Sequence, residues 1–319
     1  MSQVSVRPRK LALYGPAVEL ECLVPELDGP VGRTLGGFSV TEWPTGFGVT
    51  RGSIRPYDES EVIRRLPTAA RPLHREGELI ELFEHEERFW VIDDRWGMAE
   101  INVLRGQWRS WILPQPKLDP VRLLDTAVLW PLAQLLKNKG VYLVPAVAVA
   151  RGTTGVLLLS PCTMELELTA LLGGTYDIIA QRWTVIREEE GRVSLFHLPG
   201  RTERQLPPRL RSEGIDDWID LTAQRPLQAR RHAFCDAVLV AEPGRRPRAH
   251  LRELATLDAV NLLRRSWPMS ELHPQRRHGQ LPVRLAQLCR CYQLQLSREP
   301  RDLFALLESM RAGIGRRAA

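Results

Sequence analysis

Residues 155–174 read GVLLLSPCTMELELTALLGG, and the change of period inside that stretch constrains the fold more than any other feature. Gly155 to Leu159 is a continuous apolar run with the length of one buried strand. From Thr163 onward the apolar residues recur at Met164, Leu168, Leu171 and Leu172, which is one face of a helix, and Gly173-Gly174 supplies its stop. Such strand-turn-helix units belong to layered α/β and α+β proteins.

Strand, tight turn and helix also make the frame of a phosphate-binding loop, in which backbone N–H groups and a helix N-terminus surround an anion. The chemistry of that loop asks for G-x-x-x-x-G-K-[ST], with lysine for the phosphate oxygens and a hydroxyl for magnesium. Here Ser160 stands at the first glycine, Glu165 at the second, Leu166 at the lysine and Glu167 at the hydroxyl position. Glu165 and Glu167 would set two carboxylates against a triphosphate, so repulsion replaces attraction. Taken by itself, the stretch reads better as an ordinary strand-turn-helix with no ligand. A serine nucleophile at Ser160 lacks the flanking glycines of a strained elbow. A Cys162 thiolate would gain from the helix N-terminus but lose it to Glu165 and Glu167, with no histidine nearby in sequence.

The flanks add a resemblance. LVPAVAVARGTTGVLLLSPCTMELELTALLGGTYDIIAQRWTVIREEEGRVSLFHLPG, residues 143–200, resembles element by element the nucleotide-binding core of the HPr kinase/phosphorylase family, with its PEP-carboxykinase-type P-loop fold. The resemblance implies a small N-terminal α+β domain ahead of a core with a mixed sheet and flanking helices. It also implies what is missing. The family's histidine position holds Pro145, its lysine Leu166, its hydroxyl Glu167, and its acidic pair falls at Ala180 and Gln181. Losing lysine, hydroxyl, glycines and metal-binding acids together leaves nothing to hold Mg-ATP or accept a proton. The expectation is a degenerate member: a pseudokinase with no cofactor and no metal, used as a protein-binding, scaffolding or regulatory subunit of a bacterial complex or biosynthetic pathway. The alternatives are an active serine or peptide kinase, or a nucleotide binder, with relocated residues, and thirdly a basic nucleic-acid-binding protein.

Charge bears on the last of these. The net charge is +6, and residues 200–319 hold 22 Arg against 13 Asp and Glu, with all four lysines earlier in the chain. The pairs Arg230-Arg231, Arg245-Arg246 and Arg276-Arg277 lack the interleaved aromatics that stack on bases, so an Arg-rich face turned to water or to an acidic protein is the better reading. No run of about 18 apolar residues could span a bilayer, and no apolar segment follows the basic N-terminus, so the expected compartment is the cytoplasm. Five scattered cysteines do not make a disulfide framework. Cys289-x-Cys291 with His273 and His278 lacks zinc-ligand spacing, and His85 among Glu81, Glu84, Glu86 and Glu87 belongs to a strand that splits those acids between two faces.

Residues 1–118 carry short strand-like runs and no long helix, which reads as the N-terminal α+β domain; the run 77–93 alternates as one half-exposed strand. Asp119-Pro120 starts a helix over 119–139, kinked at Pro131 and closed by Gly140, at the junction with the core 119–312; residues 313–319 read as a flexible tail. Glu190-Gly191 marks a hairpin. HLRELATLDAVNLLRRSW reads as an amphipathic helix with Leu251, Leu254, Leu257, Val260 and Leu263 inward. Arg264, Arg265 and Trp267 at its end are candidate partner-binding residues, since tryptophan and arginine are enriched at interaction hot spots. Trp108 and Trp111, three apart on a strand, point to opposite faces, so at least one is expected to be exposed.

Overall fold

A computed structural model describes residues 8–43, 48–66, 71–76, 80–152, 154–159, 176–198, 232–242, 249–266, 280–296 and 305–310. The class is α+β, with two mixed sheets, and the chain divides into two compact units, Met1–Leu143 and Val144–Ala319. The helical run after Asp119 therefore belongs to the first unit, because it packs on that unit's strands, and not to the core to which its place in the sequence assigned it.

In the first unit the strands are β1 (Arg9–Ala12), β2 (Ala17–Cys22), β3 (Thr50–Pro56), β4 (Arg71–Glu76), β5 (Ile80–His85), β6 (Arg88–Asp93), β7 (Gly97–Asn102) and β8 (Gln107–Ile112), joined in the order β1-β2-β3-β8-β7-β6-β5-β4. β4 to β8 form an antiparallel meander, and β8 then lies parallel to β3, which is itself parallel to β2. The run 77–93 is two strands rather than one. Its turn puts Glu86 and Glu87 at φ 49° and 62°, the geometry of a tight hairpin, without the Gly, Asn or Asp that advertises one.

Helix α1 (Pro25–Leu35) lies between β2 and β3, although no long helix was expected there. Pro30 and two glycines depress its helix propensity, and the burial of Leu27, Val31 and Leu35 at four-residue spacing overrides them. α2 (Glu59–Arg65) is capped by Asp58, whose carboxylate accepts the N–H groups of Ser60 and Glu61. Asp119 caps α3 (Pro120–Leu124) in the same way. The helix then loosens into a π-turn at Asp125–Leu129 before α4 (Trp130–Leu136), which has Pro131 in its first turn, so the helical run is irregular at the proline. Gly140, left-handed at φ 73°, closes the run.

These helices explain why both tryptophans are buried, against expectation. Trp111 faces α2, in a cluster with Val62, Trp90 and Met98. Trp108 points the other way and lies across Gly52, where a Cβ would meet its ring at 2.1 Å. Ser110 shares that second face and donates to the carbonyl of Ala127 at 2.6 Å, tying the sheet to the helical run. Adjacent Phe89 and Trp90 are both fully buried, so the sheet is covered on both sides there and not half exposed.

β9 (Val141–Pro145) spans the division between the units. β10 (Val147–Arg151), β11 (Thr154–Leu159), β12 (Asp177–Ala180), β13 (Trp183–Glu189), β14 (Arg192–Phe196), β15 (His232–Glu242), β16 (His250–Glu253) and β17 (Arg290–Gln295) follow. The path is β12-β10-β11-β15-β14-β13-β9, with β17 beside β15 and β16 beside β17. β11, β15 and β17 run parallel to one another at its centre. As expected, Glu190 and Gly191 turn β13 into β14, both with positive φ. α5 (Thr256–Ser266) and α6 (Leu281–Leu288) pack on each other, and Arg284 on α6 bonds Glu188 of β13. The amphipathic helix starts later than its apolar spacing implied. His250–Glu253 is a strand, and Leu257 is 72% exposed while Ala259, Val260 and Leu263 face inward. Residues 305–310 are helical, with Leu307 and Met310 buried against β10, β11, β15 and β17.

Candidate functional site

In open sheets with parallel strands, ligands gather beyond the carboxyl ends of those strands. β11 ends at Leu159, which pairs with Val240 of β15, and the candidate loop residues Ser160, Glu165, Leu166 and Glu167, with Cys162, lie outside the described residues. Pro145, Ala180 and Gln181 are described, and the fold brings them together. Antiparallel β10 pairs Val147 with Leu158 and Ala148 with Ala180 of β12, so Pro145, Ala180 and Gln181 stand at the end of the sheet where β11 stops. The Ala146 N–H donates to the carbonyl of Arg182 at 2.9 Å, and Thr184 Oγ1 donates to the carbonyl of Ala146 at 2.8 Å. Ala180 is fully buried and Gln181 is 2% exposed. An aliphatic side chain, a neutral amide and a proline thus stand together at this sheet end. His197 lies on this side, with its Nδ1 2.6 Å from the carbonyl of Ile179.

Across β11 the same end carries an acid that the sequence reading passed over. Glu242 closes β15, and its Oε2 accepts Gln293 Nε2 at 2.7 Å, while Gln293 Oε1 accepts Arg252 at 2.8 Å. Three strands, β15, β17 and β16, thereby contribute to one polar chain. The signal was an acid directly after the apolar run Ala237 to Ala241, the pattern of a side chain delivered at a strand's carboxyl end.

The opposite end of β11 holds the described ion pairs. Asp236 accepts the Gly155 N–H at 3.0 Å and lies 4.0 Å from Arg192, whose guanidinium stacks 3.7 Å from the Phe234 ring. Glu308 receives Tyr176 Oη at 3.0 Å and the guanidinium of Arg151. Burial raises the Asp236 carboxyl above its ordinary value, and the Gly155 N–H and Arg192 only partly offset it. A carboxyl raised on folding adds stability below its unfolded pKa and loses it as pH rises through the folded one. Asp236→Asn, which keeps an acceptor for Gly155, should therefore melt higher than the parent at pH 8, with the gain shrinking as pH falls through the carboxylate range. Melting curves at pH 4.5 and pH 8 test this, and a variant that melts lower at pH 8 contradicts it.

Cys22, Cys235, Cys289 and Cys291 are all buried. Cys289 Sγ donates to the carbonyl of Cys235 at 3.3 Å, and burial pushes Cys291 up to about 12. Burial likewise raises Cys22, and the hydrogen bond with Cys289 together with burial raises Cys235, so Cys22, Cys235 and Cys291 stay protonated at neutral pH and are poor nucleophiles and metal ligands. Among the described residues no group of three or more His, Cys, Asp or Glu converges on one point. His273 and His278 lie outside them, as does Trp267, while Arg264 and Arg265 are exposed in the last turn of α5. No described helix is long and apolar enough to cross a membrane.

No family model and no curated protein matches the chain. Among solved structures it is similar to the Hpr(Ser) kinase/phosphatase from Coxiella burnetii, at 9% identity and a TM-score of 0.34, over 54% of this chain and 98% of that one.

Proposed function

We propose that the chain is a catalytically inactive, HPr-kinase-like protein that acts by binding another polypeptide, as a scaffolding or regulatory subunit. The observation that carries this reading is the convergence of Pro145, Ala180 and Gln181 at the carboxyl end of β11. Pro145, Ala180 and Gln181 bring no charge to that end, and Leu166 and Glu167 follow in sequence at the positions where the resemblance implies a lysine and a hydroxyl. Buried Ala180 and Gln181 hold the sheet end in shape without supplying charge. The exposed Arg264 and Arg265, with Trp267 just beyond, form the candidate contact on the second unit.

A second reading rests on Glu242. An acid at the end of the strand beside β11 could serve a nucleotide-bound cation from a new position. Thermal melting with and without Mg-ATP separates the two. A ligand at about 100 times its dissociation constant adds roughly 2.7 kcal/mol, so a binder should melt several degrees higher. The binding-subunit reading expects no shift, and a rise that Glu242→Gln abolishes would establish the second reading.

Partner binding has its own check. The protein purified from its native host should co-elute with another polypeptide, and the double variant Arg265→Ala, Trp267→Ala should release it with melting unchanged. Elution as a lone chain that turns over ATP contradicts the proposal.

A further inference from the structure

The first unit contains an imbalance of charge that no local pattern announces, because its members come from distant parts of the chain. Arg55 on β3 and Arg109 on β8 project from neighbouring strands on one face, since Ser53 pairs with Arg109 and Arg55 with Trp111. Arg65 arrives from the last turn of α2. Glu61 lies among them. Its Oε1 accepts Arg109 Nη1 at 2.9 Å and Arg65 Nε at 3.3 Å, and its Oε2 accepts the Trp111 indole N–H at 3.1 Å. Burial pushes the Glu61 carboxyl up, but the Trp111 N–H and the guanidiniums of Arg109, Arg65 and Arg55 together outweigh it and hold the group below its ordinary value.

The guanidiniums are less well served. Arg109 is held below its ordinary value first by burial and then by repulsion from Arg65 and Arg55, which Glu61 and Glu100 do not offset. Glu100 is shared, 2.9 Å from Arg65 and 3.6 Å from Arg88, and Glu21 comes only within 3.5 Å of Arg55. The Nε–H groups of Arg55 and Arg109 are enclosed and meet no acceptor among the described residues. Yet the side chains of Arg55, Arg65 and Arg109 remain 36%, 35% and 28% exposed, so their outer edges can be reached from water.

We propose that Arg55, Arg65 and Arg109 form a docking seat for the carboxylates of an acidic segment of a protein partner. Glu61 is the internal precedent: a helix-borne carboxylate bridging two guanidinium forks beside an indole. Planar guanidinium forks match carboxylates bidentately. A phosphate dianion would bring two charges against the Glu61 carboxylate, where a side-chain carboxylate brings one. The inference rests on the reading that the chain works by binding a polypeptide, and it places a second contact on the first unit.

Isothermal titration of the full chain with a hexaglutamate peptide and with inorganic phosphate, at matched ionic strength, tests the seat. The peptide should bind saturably and at least tenfold more tightly than phosphate, and Arg109→Gln should weaken it at least tenfold. Because Arg109→Gln also strips Glu61 of a partner, the decisive variant is Arg55→Gln, which should lose at least fivefold in affinity with its melting temperature unchanged. No saturable heat, phosphate binding as tight as the peptide, or peptide affinity unchanged in Arg55→Gln would overturn the proposal. Failure here while a partner still co-purifies removes the seat alone; loss of co-purification as well removes the binding reading.

Discussion

Gly155→Ala should cost the second unit about 3–5 kcal/mol and lower its melting temperature by roughly 10 °C. An added Cβ would stand 2.1 Å from the Phe234 carbonyl oxygen and 3.0 Å from its carbon. Backbone cannot swing aside as a long side chain can, so β11 and β15 must separate. Separation also weakens the Gly155 N–H bond to the Asp236 carboxylate, and a hydrogen bond to a charged group contributes about 1.5–3 kcal/mol. Calorimetry of the variant measures the loss, and a melting temperature within 2 °C of the parent would mean the strands are not held this closely.

Trp111→Ala should cost the first unit a comparable amount, about 3–5 kcal/mol. The indole is fully buried between Trp90, Met98 and Val62, and its loss leaves a cavity that two strands and a short helix cannot close. It also removes the N–H donor to Glu61, returning part of that carboxylate's burial cost. Trp111→Phe separates the two effects, because it refills most of the volume without restoring the donor. Urea unfolding should rank the chains parent, Trp111→Phe, Trp111→Ala, and equal midpoints for parent and Trp111→Ala would contradict the packing described.

Trp111 also shows where sequence pattern stops being informative. Strand existence was legible at β8, β11, β13 and β14, because each carries an apolar run or alternation beside turn residues. The Asp119 cap and the Gly140 stop were legible for the same reason: both are local. Coverage of a sheet face is not local. Trp108 and Trp111 alternate as they must, but whether both faces are buried depends on α2, seven residues long, and on the α3 to α4 run, neither of which is encoded in β8. Leu257 failed in the same way, since five leucine and valine positions fit a helical stripe only if the helix begins before Thr256. At the candidate site, Pro145, Ala180 and Gln181 could be picked out from their neighbours in sequence. The Arg55, Arg65 and Arg109 group could not, because only strand pairing and α2 bring it together, whereas Glu242 left a local signal as an acid closing an apolar run.

The central parallel strands carry a consequence for how the chain is made. Gly155 is bonded to Asp236, 81 residues later, and Cys235 contacts Cys289, 54 residues beyond that. Parallel pairing over such separations is slow, since chain closure must precede any reward. Translation runs from the N-terminus, so the first unit, whose sheet is complete at Ile112, can close while the ribosome is still reading the second. The second cannot. β11 waits for β15, and β15 waits for β17, which ends at Gln295 of 319 residues. Between the synthesis of Leu159 and that of Gln295 this protein exposes the apolar edges of β11 and then β15 to its surroundings, the condition in which nascent chains depend on chaperones.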